Sequence, residues 1–187
     1  MRDLEIRGAG NILGGEQSGH IASVGYELYC QMLDKAVCTL KKQPLKSWLD
    51  VTIDLPLRNY LPRDYVPALR QRIEVYRKLA RLHELDDVRD FRRELEDRFG
   101  TPPDVVANLL HMAELRILAE RWQIELIRLD GEFVMFGYRN PEAIKRLAQQ
   151  SRGRLRVADA TSAYLPLDGD RDLAKLLAQI KSLLQQK

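Results

Sequence analysis

Apolar positions along the middle of the chain recur at helical spacing. From Val66, the residues Val66, Leu69, Ile73, Tyr76 and Ala80 step by three and four, the pattern of one helix face turned to a core. A second stripe, Val88, Phe91, Leu95 and Phe99, runs up to Gly100, which suits a left-handed C-cap. Thr101-Pro102-Pro103-Asp104 then opens a third helix with a cap-competent hydroxyl, proline in the first turn and a carboxylate near the positive end of the dipole. Beyond it the period shortens. Ile124 to Leu129 and Glu132 to Tyr138 read as strands flanking the hairpin signal Asp130-Gly131. Asn140-Pro141 starts a helix reaching about Gln150, Arg154 to Val157 and Ser162 to Leu165 are short strands, and Asp170 to Gln186 is a closing helix.

Upstream, Val51-Thr52-Ile53-Asp54-Leu55 alternates like a strand and stops at Pro56. Residues 21–42 form an amphipathic helix, residues 1–20 are glycine-rich, and Gln43-Pro44-Leu45-Lys46-Ser47 punctuates the chain as a linker does. These elements predict an α+β protein in two parts. Residues 1–47 are a glycine-rich loop and helix appended to a compact domain, 50–187, of three helices plus a small sheet with further helices. No internal repeat or low-complexity tract interrupts it.

Composition narrows the function classes. At 187 residues, 45% hydrophobic and 30% charged, the chain can bury a sizeable core and is not a disordered one. Thirty Lys and Arg against 27 Asp and Glu leave +3, so any polyanion contact is local. No apolar run reaches the length of a membrane span, and the amino terminus carries Arg2, Asp3, Glu5 and Arg7 in place of a signal sequence; a cytoplasmic protein is expected. Cys30 and Cys38 lack a CxxC or a neighbouring His and read as reduced thiols. His20, His83 and His111 are scattered without metal-ligand spacing, and no nucleophile motif is present, so neither a metal site nor catalysis by this chain alone is expected.

The segment Arg7-Gly8-Ala9-Gly10-Asn11-Ile12-Leu13-Gly14-Gly15-Glu16-Gln17-Ser18-Gly19 is dense in the residue that tolerates positive φ and close backbone approach. It is not a dinucleotide fingerprint, because Leu13 stands where the third glycine belongs, and GxxxxGK[ST] is absent from the chain. A loop with Arg7 at its entry and Gln17-Ser18 at its exit can meet a phosphate backbone, or it can be a solvated turn. The run Arg2-Asp3-Leu4-Glu5-Ile6-Arg7-Gly8-Ala9-Gly10, with Leu13-Gly14 and Gln17-Ser18-Gly19, resembles the motif that follows the last helicase motif in the RecG and transcription-repair coupling factor branch of superfamily 2. The resemblance implies that the segment couples ATP hydrolysis to movement along duplex DNA, with Arg7 and Gln17 central and Gly8, Gly10, Gly14 and Gly19 shaping the loop.

Further on, Glu94-Leu95-Glu96-Asp97-Arg98-Phe99-Gly100 followed by Pro103 resembles the ELxDRFGxxP signature of the C-terminal domain of transcription-repair coupling factors, as does Tyr76-Arg77-Lys78-Leu79. RecG lacks that signature. The residues themselves show Asp87, Asp90, Glu94 and Asp97 stepping by three, four and three, a column of carboxylates flanking the apolar stripe, with Arg89, Arg92 and Arg93 on the other flank. Like charges at i and i+4 destabilise a helix by a few tenths of a kcal/mol. Such a column either is a solvated face or awaits a partner that supplies arginines. The family resemblance implies the second: Glu94 and Asp97 hold this domain against arginines of a UvrB-like module and mask UvrA binding.

Two functions from different classes follow. One is the end of an ATP-driven DNA translocase, with Met1 an internal codon and the motor in a longer protein; the other is a free-standing interaction domain with an acidic helix face. On the first, ATP and magnesium act in the parent protein and this chain needs no cofactor. RNA polymerase and UvrA are reached only through modules missing here, and no ATPase is expected of the chain alone. Lys145, Arg146, Arg152, Arg154 and Arg156 form the one cationic cluster, with the alternation of a strand edge.

Overall fold

The computed structural model describes residues 51–167 and 172–186. Among these, five helices and five strands form two layers with a shared helix. The strands are β1 (Thr52–Asp54), β2 (Ile124–Asp130), β3 (Phe133–Tyr138), β4 (Arg156–Val157) and β5 (Ser162–Pro166). The helices are α1 (Leu69–Ala80), α2 (Leu85–Phe99), α3 (Asp104–Arg121), α4 (Pro141–Gln150) and α5 (Leu173–Leu184). The α+β class is as the periodicities predict. Sheet order is β1-β2-β3-β5-β4, with β1 parallel to β2 and the remaining pairs antiparallel. No described helix is long and apolar enough to cross a membrane.

There are two apolar clusters. Val75, Tyr76, Leu79, Val88, Phe91 and Leu95 pack α1 and α2 onto one side of α3 through Val106, Leu109, Leu110, Ala113 and Ile117. Met112, Leu115, Leu118 and Ala119 on the opposite side of α3 join Ile127, Val134, Phe136, Ala163 and Leu165 of the sheet, with α4 and α5. A helix buried on two sides keeps its polar residues to the narrow strips between them, here Asn108, His111, Glu114, Arg116 and Glu120, all part-exposed.

Several local expectations shift. Val66 precedes α1 instead of starting it, because Pro67 disfavours the helical conformation of the residue before it. The buried stripe of α1 is Val75, Tyr76, Leu79 and Ala80, while Leu69 is 43% exposed. Thr101 caps nothing: Pro103 is the N-cap residue of α3, without a side-chain cap bond. Gly100 is the C-cap of α2, but its φ of 82° comes with ψ −171°, an extended conformation open essentially to glycine, not the left-handed helical one. Its carbonyl accepts from the Tyr65 hydroxyl at 3.0 Å, which holds the chain in that turn. The hairpin loop is Gly131-Glu132 rather than Asp130-Gly131, since Asp130 still pairs with Phe133; Gly131, at φ 61°, takes the first central position that a II′ turn reserves for glycine.

Distant residues tie the layers together. The Arg116 guanidinium on α3 donates to the carbonyls of Leu79, Ala80 and Leu82, closing the C-terminus of α1. Trp122 Nε1 donates to Leu184 O at 2.9 Å. Lys181 of α5 donates to Glu114 Oε2 and lies 2.7 Å from His111 Nδ1, both on α3. Burial alone would raise the Glu114 carboxyl, but hydrogen bonds from His111 and Lys181 outweigh it and bring it down to about 2.

Candidate interaction face on the acidic helix

Helix α2 forms because Val88, Phe91 and Leu95 bury one stripe while its ends are locally satisfied. At the start, Glu84 and Asp87 make a reciprocal capping box, and Asp87 accepts from Glu84 N at 3.1 Å. One of the four column carboxylates is therefore committed to the backbone. Asp90 is exposed and only loosely engaged, 3.4 Å from Arg93.

Glu94 is the best-organised of the four. Lys78 Nζ reaches its Oε1 at 2.6 Å from α1, and Arg98 donates to the same oxygen at 2.9 Å from one turn on. The Lys78 hydrogen bond, opposed by partial burial and reinforced by Arg98, lowers the carboxyl from its ordinary value. The cations are in turn steadied by rings: Lys78 lies 6.0 Å from the Phe91 centroid and Arg98 4.9 Å from that of Phe99. Both donors converge on Oε1, and among the described residues Oε2 has no partner. Asp97, one turn further at i+3, is exposed and makes no ion pair among the described residues.

The column is thus graded. Its first member is a cap, its second is loosely paired, its third is fixed with one oxygen facing outward, and its fourth is free. A carboxylate held in place with an open oxygen, beside a free carboxylate, offers a bidentate site to arginine side chains without the entropy cost of ordering Glu94. Lys78, which the column pattern alone does not pick out, is the residue that fixes it.

Arg7, Gln17, Gly8, Gly10, Gly14 and Gly19, together with His20, Cys30 and Cys38, lie outside the described residues. The basic cluster ends at the edge strand β4, on the far layer from α2.

Comparison with known proteins decides which family this face belongs to. The TRCF domain family model matches residues 55–149, which include α1, α2 and all of α3. The chain belongs to the TRCF domain family. Its relatives include the transcription-repair-coupling factor of Staphylococcus aureus (strain USA300), 42% identical over 136 residues, 72% of this chain and 12% of that protein. That of Myxococcus xanthus is 43% identical over 115 residues, 62% of this chain and 10% of the relative. The matched region is a small fraction of either relative. A crystal structure of the C-terminal domain of transcription-repair coupling factor superposes with a TM-score of 0.62 at 19% identity, covering 71% of this chain and 88% of the other, which establishes the shared fold.

Proposed function

We propose that this TRCF domain is the autoinhibitory clamp of a transcription-repair coupling factor acting in DNA repair, and that α2 is its gripping face. The observation that carries the proposal is the placing of Glu94, anchored through Oε1 by Lys78 and Arg98, beside Asp97, which makes no ion pair among the described residues. Arginines of the UvrB-like module engage Glu94 Oε2 and Asp97, and the surface that binds UvrA stays covered. Each exposed or half-buried pair contributes on the order of 1 kcal/mol, so a few of them make a latch that other contacts can open.

On the same proposal, the glycine-rich segment with Arg7 and Gln17 is the motor's coupling element on duplex DNA. ATP and magnesium serve the motor modules, and RNA polymerase and UvrA are met by other modules of the coupling factor. The test is made in a full-length coupling factor carrying this domain. The double variant Glu94→Arg and Asp97→Arg binds UvrA without stimulation if the clamp is real; UvrA binding equal to that of the unmodified protein rejects it.

A further inference from the structure

Among the described residues, helices cover one face of the sheet and leave the other uncovered. Val134, Phe136 and Tyr138 of β3 and Ala163 and Leu165 of β5 point into the core under the helices. The residues that alternate with them point the other way: Leu126 and Arg128 of β2, Phe133 and Met135 of β3, Ser162, Tyr164 and Pro166 of β5, Arg156 of β4. None of these is buried, and Phe133 is 39% exposed.

The strand register lines them up. One row crosses the sheet as Arg128, Met135, Tyr164, Arg156, and the next brings Phe133 beside Pro166. Phe133 and Tyr164 meet edge to face with centroids 6.2 Å apart. Arg128 and Arg156, at either end of the Met-Tyr row, make no ion pair among the described residues, and the same holds for Arg152 in the loop leading into β4. The face's own carboxylates, Asp54 and Asp130, stand across from Arg128 and Phe133 on the β1–β2 side, away from β4. The cation with no carboxylate across from it in the register is therefore Arg156, at the β4 edge beside Tyr164.

We propose that this face binds single-stranded nucleic acid, with a phosphate at Arg156 on the β4 edge and bases stacked on Tyr164 and Phe133. Aromatic rings on the uncovered face of a helix-backed sheet, here the exposed Phe133 and the part-exposed Tyr164, are a platform on which unpaired bases stack, and cations at its edge follow the backbone. A duplex keeps its bases stacked on one another and has no use for the rings, so the edge cation and the uncovered rings together select a single strand. The site is on the opposite layer from α2 and is independent of the clamp.

Fluorescence anisotropy of the full 187-residue chain with a labelled oligothymidylate and with a duplex of equal length tests this. The single strand binds at low salt with an affinity that depends on Phe133, whereas duplex binding does not depend on it. Phe133→Leu and Tyr164→Leu each weaken single-strand binding at least about fivefold. Arg156→Gln lowers the slope of log affinity against log salt by about 0.7, while Arg70→Gln, on the remote α1, leaves it unchanged. Phe133→Leu, at an exposed position, keeps the test valid if Tyr164→Leu fails to fold. Duplex binding as sensitive to Phe133→Leu as single-strand binding is, single-strand binding insensitive to Phe133→Leu, or no single-strand binding at low salt overturns the proposal, the last leaving the face to a protein surface.

Discussion

The two layers of the domain expose opposite chemistries. The helical layer presents α2, whose acidic residues are largely satisfied from within: Asp87 by backbone, Glu94 by Lys78 and Arg98. The sheet layer presents Arg128, Arg152 and Arg156 without ion pairs among the described residues, around a pair of rings. A near-neutral +3 conceals this separation. What distinguishes the layers is preorganisation. On α2, neighbouring cations fix one carboxylate and leave a single member free, as suits a geometrically specific latch. On the sheet, unpaired cations beside apolar surface suit a longer, more variable ligand.

The separation depends on α3 holding both layers. Leu115→Ala, at a fully buried position in the sheet cluster, costs about 2–5 kcal/mol. Because α3 also carries the helical cluster, thermal unfolding followed by far-ultraviolet and tryptophan signals stays a single transition. Two separated transitions would break the account into two independent units.

The next effect lies at the junction of α3 with α5. Lys181→Met removes the main partner of the half-buried Glu114 and costs on the order of 1–2 kcal/mol at neutral pH. Since the Glu114 pKa falls from 4.5 to about 2 on folding, its contribution is fully present above pH 4.5 and is lost as pH drops toward 2. The gap between the two proteins therefore closes over that window in chemical denaturation. A gap independent of pH would show that Lys181 acts by packing alone.

Of similar size, Gly100→Ala forces a side chain into a conformation with φ 82° and costs about 1 kcal/mol, the low end for such strain because nothing crowds the added methyl. It also loosens the end of α2 that carries Asp97, and amide exchange should rise there first. Unchanged exchange at residues 95–99 would separate the clamp face from the Gly100 turn.

The sequence made some of this legible and hid the rest for physical reasons. The stripe of α2, the hairpin and α5 were evident because period, caps and glycine agree over short spans. The face of α1 is legible only in its second half: Tyr76 and Ala80 are buried as the spacing predicts, while Leu69 is exposed and Val66 is buried from outside the helix because Pro67 moves the helix start. The role of Arg116 as a cap for α1, and the His111–Glu114–Lys181 cluster, depend on partners more than thirty positions apart and leave no local signal. The open face was hidden for another reason: β3 reads Phe-Val-Met-Phe-Gly-Tyr, apolar on both sides, so alternation cannot say which side meets solvent. The acidic column was visible, but its grading was not, because Lys78 reaches Glu94 across a helix pair.

On the proposed clamp, Glu94 and Asp97 grip arginines of the UvrB-like module. Calorimetric titration of that module, as a separate protein, with this chain tests it most directly. Salt-sensitive binding is expected, falling at least about tenfold in the double variant Glu94→Arg and Asp97→Arg, as two pairs of about 1 kcal/mol give on removal. Equal affinity of the double variant, with its melting temperature unchanged, would contradict it.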